Sequence, residues 1–305
     1  MKKKYILFII CFIHLSASEI VFLNGARIKD LIIEQCNFGP RFPGSTGHNS
    51  AKRFFIEFLE NNSDTVYIYN HETISPLSKK KVTLTNMLAR YNPDIESRFI
   101  LLAHWDTREI AEKEKNKSLR SLPIIGANDG ASGVAILLTL SELLKSRPLK
   151  TIGLDILLVD GEDMGVSGSV DSWGIGTQYF AKQIPNPKPK FGICLDMVGD
   201  YNPEFLIEQY SYRFAPKIVH EIWSLANSIG YNEFKFDFGK AIIDDHYMLF
   251  KHGGIPTINI IDFDYPDKST NFWHTHDDIP ENCSSRTLGI VGTVIATYIY
   301  KKDNE

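Results

Sequence analysis

The chain has 305 residues, of which 43% are hydrophobic, 23% charged and 12% aromatic, and its formal net charge is −4. These fractions exclude a disordered tail, a collagen-like repeat and a coiled coil, because each of these would shift the composition strongly. A weakly acidic chain also lacks the basic surface expected of a nucleic-acid-binding protein. The composition is therefore that of a globular protein.

Residues 1–18 have the three parts of an export signal. Three lysines at 2–4 are followed by an apolar stretch at 5–15 and by small residues at 16–18 that suit cleavage. Because the apolar stretch is too short to span a bilayer comfortably, we expect cleavage rather than stable membrane insertion. The signal predicts export to a periplasm, to the outside or to a secretory lumen, and it leaves residues 19–305 as one catalytic domain.

Three cysteines remain after removal of the signal, which allows at most one disulfide and does not identify its partners. They are Cys36, Cys194 and Cys283.

Apolar periodicity predicts helices and strands that alternate along the chain. In chain order these are a helix with Phe54, Phe55, Phe58 and Leu59 on one face, strands at 65–69, 82–90 and 99–103, a surface loop at 107–123, a helix at 131–144, strands at 152–159 and 191–198, a helix at 215–229, a strand at 256–261 and a helix at 284–300. This alternation favours an α/β sheet with helices on both faces.

Polar side chains follow several of the predicted strands. His104 and Asp106 end the strand at 99–103, Glu162 and Asp163 follow the strand at 152–159, and Asp196 lies near the end of the next. In open α/β sheets, ligands bind at the carboxyl ends of the strands. We therefore expect one site, built by several loops at one edge of the sheet.

A catalytic zinc ion takes three protein ligands and keeps one open position. Asp129, Asp163 and His274 offer three such ligands on separate loops, and Glu162 beside them suits a general base and acid. Each segment alone has an ordinary explanation as a turn, a helix cap, a solvated loop or a hydrogen-bonded histidine. Their occurrence together, at successive strand ends, favours a single metal site.

Six short motifs occur in an order that resembles the zinc aminopeptidase superfamily. They are His-Trp-Asp at 104–106, Asn-Asp-Gly-Ala-Ser-Gly at 128–133, Asp-Gly-Glu-Asp at 160–163, Leu-Asp-Met-Val-Gly-Asp at 195–200, Asp-Asp-His at 244–246 and Trp-His-Thr at 273–275. Within that superfamily the chain resembles the zinc-dependent glutaminyl-peptide cyclotransferases, or glutaminyl cyclases. The resemblance covers residues 39–278 and implies a single domain with a central mixed, mostly parallel sheet.

The resemblance also implies the roles of individual residues. Asp129, Asp163 and His274 would bind one zinc ion, and Glu162 would transfer protons. Asp196 and Asp244 would join Glu162 in a hydrogen-bonded network of acids. The substrate pocket would be lined by aromatic side chains, namely Trp273 with Tyr265 or Phe272.

Two features favour the cyclase branch over the aminopeptidases. Asp244 stands where aminopeptidases commonly have serine, and Trp273 precedes the last ligand where they commonly lack tryptophan. Three departures concern the pocket: Asp163 replaces a more common glutamate, Gly168 stands where cyclases have a tryptophan that Trp173 would replace, and Ile243 replaces a glutamine.

These observations predict an acyltransferase that converts the N-terminal Gln of peptides or proteins to pyroglutamate and releases ammonia. One alternative is an exported aminopeptidase with two zinc ions, in which His104 and Asp196 hold the second ion and Asp129 bridges. In the cyclase, His104 would instead be a structural residue behind the zinc site. A further alternative is a binding module that keeps this fold without catalysis.

Overall fold

The computed structural model describes residues 19–305, so the predicted export signal lies outside the described residues. The described chain forms eight α-helices and eight β-strands. The helices are α1 (Gly25–Asn37), α2 (Thr46–Asn62), α3 (Ala131–Ser146), α4 (Ile175–Phe180), α5 (Gln209–Phe214), α6 (Pro216–Ser228), α7 (Asp245–Gly253) and α8 (Ser285–Asp303). The strands are β1 (Thr65–Ile74), β2 (Lys81–Tyr91), β3 (Arg98–His104), β4 (Gly153–Val159), β5 (Gly192–Asp196), β6 (Phe205–Ile207), β7 (Phe234–Phe238) and β8 (Thr257–Ile261).

Six of the strands form one mixed sheet in the order β1-β2-β4-β3-β5-β8. Strands β4, β3, β5 and β8 run parallel to one another, whereas β2 is antiparallel to both β1 and β4. Strands β6 and β7 pair separately in a short parallel ribbon. The predicted single-domain α/β fold with a mixed, mostly parallel sheet is thereby confirmed.

Strand β3 shows why the sequences of the central strands are continuous runs of apolar residues. All seven of its residues are buried, and alternate side chains enter two different cores. Leu101 and Ala103 pack in the core that includes helices α1, α2, α3 and α8. Ile100 and Leu102 pack on the other face, in the core that includes α4 and α7. Because helices cover both faces, the strand has no solvated side and no polar alternation.

The parallel strands bring the predicted motifs to one edge of the sheet. His104 is the last residue of β3, and Asp196 is the last residue of β5. Strand β4 ends immediately before the segment 160–163, and β8 ends close to residues 262–265. Parallel neighbours end on the same side, so side chains from distant parts of the sequence meet there.

Neither a disulfide nor a membrane-spanning helix occurs in the part of the chain that the structure describes. Cys36, Cys194 and Cys283 are free thiols. No helix within residues 19–305 combines the length and the hydrophobicity needed to cross a membrane.

Candidate metal centre and active site

Asp129, Asp163 and His274 form a compact, buried group of possible metal ligands. One ligand atom from each lies within 4.8 Å of the others. Nε2 of His274 is 3.0 Å from Oδ1 of Asp163 and 3.8 Å from Oδ2 of Asp129. The Oδ2 atoms of both aspartates are buried without a hydrogen-bond partner. Buried carboxylate oxygens normally have partners, so two free ones in one group with a buried imidazole fit the ligand set of a zinc ion.

Neighbouring carboxylates fix the backbone of these ligands. The Asp106 carboxylate accepts hydrogen bonds from the backbone nitrogens of Glu162 and Asp163, each at 3.1 Å. The Asp278 carboxylate similarly accepts from the backbone nitrogens of Asn128, at 2.7 Å, and Asp129, at 3.2 Å. The adjacent residues Glu162 and Asp163 are thereby held with one side chain at the candidate metal group and the other at the cavity beside it.

A second possible metal group shares Asp129 with the first. His104, Asp129 and Asp196 also place one ligand atom each within 4.8 Å of one another. Nε2 of His104 is 3.0 Å from Oδ1 of Asp129 and 3.3 Å from Oδ1 of Asp196. The structure thus brings His104 to the centre of the site, in a position where it can bind a second ion or hold the two aspartates.

Burial dominates the protonation of the acids. Burial and the neighbouring Asp163 carboxylate raise the pKa of Asp129 to about 7, and burial raises that of Asp196 to about 6. Burial and the nearby Asp244 carboxylate hold the pKa of Glu162 well above its usual range. Asp163 behaves oppositely: although burial disfavours its charge, the His274 imidazole lowers its pKa to about 2. A raised pKa favours the protonated form of a carboxyl group, which suits Glu162 to donating a proton in acid–base chemistry.

The three predicted catalytic acids line one cavity of about 240 Å³ beside the metal group. Glu162, Asp196 and Asp244 all border it. The Asp244 carboxylate also accepts hydrogen bonds from the backbone of Asp245 and the side chain of Asn259. The three acids thus share a cavity, and the hydrogen-bonded network among them that the resemblance implies stays a prediction.

The aromatic residues predicted to bind substrate divide into two sets. Trp273 lines the cavity and stacks on the ring of His274, with ring centroids 3.8 Å apart. Tyr265 is only 1% exposed, packs edge-on against Phe272 and donates its hydroxyl hydrogen to the carbonyl oxygen of Asn282 at 3.2 Å. Neither Tyr265 nor Phe272 borders the cavity.

Other apolar side chains complete the cavity wall in their place. Trp173 borders it and lies nearly parallel to the ring of His274, with centroids 6.3 Å apart. This position agrees with the expectation that Trp173 replaces the tryptophan that cyclases have where this chain has Gly168. Ile243 and Phe263 also line the cavity. Phe263 lies two residues after the end of β8, so its place close to a strand end could have indicated this position.

The segment 107–123 contributes to the site more than its charged sequence indicates. Residues 115–119 are exposed, as expected for a surface loop, whereas Thr107, Arg108 and Ala111 are buried. Glu112, which sequence reasoning did not single out, approaches Nδ1 of His274 to 2.8 Å. The prediction of a surface loop is therefore right for the tip of the segment and wrong for its base.

Comparisons with known proteins identify the family of the chain. A profile of Peptidase family M28 matches residues 86–299. Porphyromonas gingivalis glutaminyl cyclase is 30% identical, with a TM-score of 0.88 over 92% of this chain and 99% of the other. A Zn-dependent exopeptidase from Parabacteroides distasonis is 32% identical, with a TM-score of 0.85 over 92% and 99%. A glutaminyl-peptide cyclotransferase from Drosophila melanogaster is 23% identical over 78% of this chain and 70% of its own length.

These similarities confirm that the chain resembles the glutaminyl cyclases of the zinc aminopeptidase superfamily. The family and the zinc-dependent relative imply zinc as the cofactor, while the names of the relatives include both cyclases and a peptidase. The chain therefore belongs to Peptidase family M28, as an enzyme of the zinc aminopeptidase superfamily that shares its fold with glutaminyl cyclases.

Proposed function

We propose that the chain is a glutaminyl-peptide cyclotransferase, which converts the N-terminal Gln of exported peptides or proteins to pyroglutamate with a single zinc ion. One observation carries the proposal: Glu162 and Asp244 border the same small cavity that adjoins Asp129, Asp163 and His274. Relatives named as glutaminyl cyclases support it.

The dimensions and wall of the cavity suit a glutamine side chain. A space of about 240 Å³ with tryptophans on its wall can accept one slender side chain. Cyclisation consumes no water, so a substrate that fills this space would also limit competing hydrolysis. Trp173 and Trp273 would pack against the methylene groups of the substrate.

In the proposed reaction the α-amine nitrogen attacks the carbonyl carbon of the side-chain amide. A new C–N bond forms, the bond from that carbon to the amide nitrogen breaks, and the nitrogen leaves as ammonia. Glu162 would take one proton from the attacking amine and return it to the departing nitrogen. Its raised pKa favours the protonated form that donates to the departing nitrogen. Asp244, beside Glu162, would orient the amine before attack.

Asp129, Asp163 and His274 would hold the zinc ion, which when bound supplies Lewis-acid polarisation of a carbonyl group. In this reaction His104 would have a supporting role. It contacts both Asp129 and Asp196 and would hold their carboxylates in place.

A two-zinc aminopeptidase is the second candidate function. The observation that favours it is the second group of possible ligands, formed by His104, Asp129 and Asp196. In that case Glu162 would activate water. A binding module without catalysis has less support, since it would not require two sets of possible ligands and an acid with a raised pKa at one cavity.

The deciding experiment measures ammonia release from a Gln-initiated dipeptide and hydrolysis of a Leu-initiated peptide side by side. Purified protein comprising residues 19–305 is stripped of metal and titrated with zinc. Ammonia release that saturates at one equivalent, without release of Leu, is the expected result. Release of Leu that requires two equivalents and proceeds without ammonia would replace the cyclase with the aminopeptidase.

Substitution of the proposed proton-transfer group tests the mechanism. Glu162→Gln keeps the shape of the side chain and cannot accept a proton, so we expect turnover to fall by roughly 10²–10⁴-fold while zinc remains bound. Glu96→Gln makes the same chemical change at an exposed position and serves as the control. Turnover of Glu162→Gln equal to that of the control would refute the role of Glu162.

A further inference from the structure

The base of the segment 107–123 connects two loops that carry proposed zinc ligands. We call residues 108–114 the clamp segment. At one end, Nη1 of Arg108 donates hydrogen bonds to the carbonyl oxygens of Asp163 and Gly165, both at 2.7 Å. At the other end, the Glu112 carboxylate accepts a hydrogen bond from Nδ1 of His274 at 2.8 Å. The clamp segment thus contacts the backbone of one ligand and the ring of another.

Arg108 and Glu112 are themselves joined by a two-point ion pair. Nε and Nη2 of Arg108 lie 3.1 and 2.8 Å from the two oxygens of Glu112. Arg108 is almost fully buried, and its guanidinium lies 5.1 Å from the ring centroid of Trp173 on the cavity wall. A two-point contact between a planar guanidinium and a carboxylate fixes both groups in direction as well as in distance.

The backbone of His274 also depends on the clamp segment. The φ angle of His274 is 57°, in the left-handed region, which residues other than glycine adopt at a cost of about 1–3 kcal/mol. The Lys113 nitrogen donates to the His274 carbonyl oxygen at 3.3 Å. The next residue of the clamp segment, Glu114, accepts hydrogen bonds from the backbone nitrogen and from Nδ1 of His276, at 3.3 and 3.1 Å. Contacts with the clamp segment therefore hold the backbone of His274 in a conformation that histidine does not favour.

We propose that Glu112, seated by Arg108, is a positioning residue that fixes the ring of His274 for metal binding. With Nδ1–H donated to Glu112, the lone pair of His274 is on Nε2, the atom that faces Asp163 and Asp129. A carboxylate on the far nitrogen of a metal-binding histidine fixes the tautomer and the ring direction and increases the basicity of the ligand. The inference rests on the proposed ligands alone and stands whether the reaction is cyclisation or hydrolysis.

The test is the zinc dissociation constant of metal-stripped protein, measured by competition with a chromophoric chelator. Glu112→Ala removes the acceptor, and we expect zinc to bind about 10–100-fold more weakly. Glu112→Gln keeps an acceptor oxygen and loses the charge, so its effect should lie between those of Glu112→Ala and the unchanged chain. Glu112→Gln also keeps the test valid if Glu112→Ala does not fold.

A second ion pair provides the matched control. Arg27 contacts both oxygens of Glu142 at 3.3 and 2.6 Å, with no proposed zinc ligand involved. Glu142→Gln should leave the zinc dissociation constant within about twofold of its original value, since neither partner contacts the metal group. Unchanged zinc binding in both Glu112 variants would overturn the proposal, and so would an equal loss in Glu142→Gln.

A double-mutant cycle tests the part played by Arg108. Arg108→Lys keeps the charge and loses the two-point contact with Glu112. If Arg108 acts on His274 through Glu112, the double variant Arg108→Lys/Glu112→Gln should bind zinc no more weakly than the weaker single variant. Full additivity of the two losses would overturn the seating of Glu112 by Arg108, since Arg108 would then act through its separate contact with the Asp163 carbonyl oxygen. Turnover of substrate is not needed for either readout, so failure of the proposed reaction would leave this test unaffected.

Discussion

Substituting Asp106 by asparagine should weaken both the fold and the active site. The carboxylate is fully buried and accepts one hydrogen bond on each oxygen, from the backbone nitrogens of Glu162 and Asp163 at 3.1 Å. Asparagine has the same shape but only one acceptor oxygen, so one of these N–H groups would face the amide NH₂. Loss of a charge-assisted hydrogen bond costs about 1.5–3 kcal/mol, and an unsatisfied buried donor costs about 1–3 kcal/mol. We expect Asp106→Asn to lower the free energy of unfolding by about 2–4 kcal/mol.

Urea unfolding of the metal-stripped protein measures this loss without a contribution from zinc binding. With an m-value of roughly 3 kcal/mol/M, the urea midpoint should fall by about 1 M. Turnover should also fall, by about 10²-fold for a displacement of Glu162 near 1 Å, because catalytic groups tolerate little misplacement.

Asp303→Asn is the control that separates stability from positioning. Asp303 is also buried and accepts from the backbone nitrogens of Lys150, Thr151 and Ile152 at 2.7 to 3.3 Å, away from the proposed site. This variant should lose comparable stability and keep full turnover. An unchanged urea midpoint for Asp106→Asn would refute the reasoning about its hydrogen bonds, and full turnover of that variant would refute its positioning of Glu162.

Two further changes test the cavity wall and a buried contact between a carboxylate and a histidine. Gly165→Ala would place a Cβ atom 2.0 Å from the ring of Trp173, so the ring must move. We expect a higher KM and an altered near-ultraviolet circular dichroism spectrum. If neither the KM nor the spectrum changes, Trp173 does not form part of the cavity wall. Burial opposes the charge of Glu208, but its contact with His246 at 3.0 Å lowers its pKa from the ordinary 4.5 to about 2. Its stabilising effect should be complete above pH 4.5 and disappear as the pH falls towards 2. Glu208→Gln should therefore unfold at lower urea than the unchanged chain at pH 7, with a difference that shrinks below pH 4.5; a difference independent of pH would exclude this charge effect.

The central sheet could be predicted from the sequence because its strands are buried on both faces. The apolar runs at 99–103 and 152–159 coincide with β3 and β4 to within a residue or two. Asp163 was found for a related reason, since its motif directly follows β4 and parallel strands end together, whereas Asp129 and His274 lie on longer loops after β3 and β8. Where chain direction fixes the position of a side chain, local sequence is sufficient.

Positions set by contacts between distant loops could not be predicted in this way. Tyr265 and Trp273 are close in sequence, yet only Trp273 turns towards the cavity while Tyr265 is buried behind it. Glu112 lies in a charged segment without periodicity, and its partner His274 is 162 residues away. Its role depends on how two loops dock, and no local pattern encodes that docking.

The distribution of the proposed zinc ligands along the chain has a consequence for the order of folding. Asp163 and His274 are 111 residues apart, and β5, the β6–β7 ribbon and β8 all lie between them. A chain synthesised only as far as β7 holds both aspartates and lacks the histidine. Contacts of such long separation form late, after the intervening chain has paid its loop-closure entropy. Zinc binding by all three proposed ligands therefore requires the finished sheet, and we expect metal uptake to follow assembly of the sheet rather than to nucleate it.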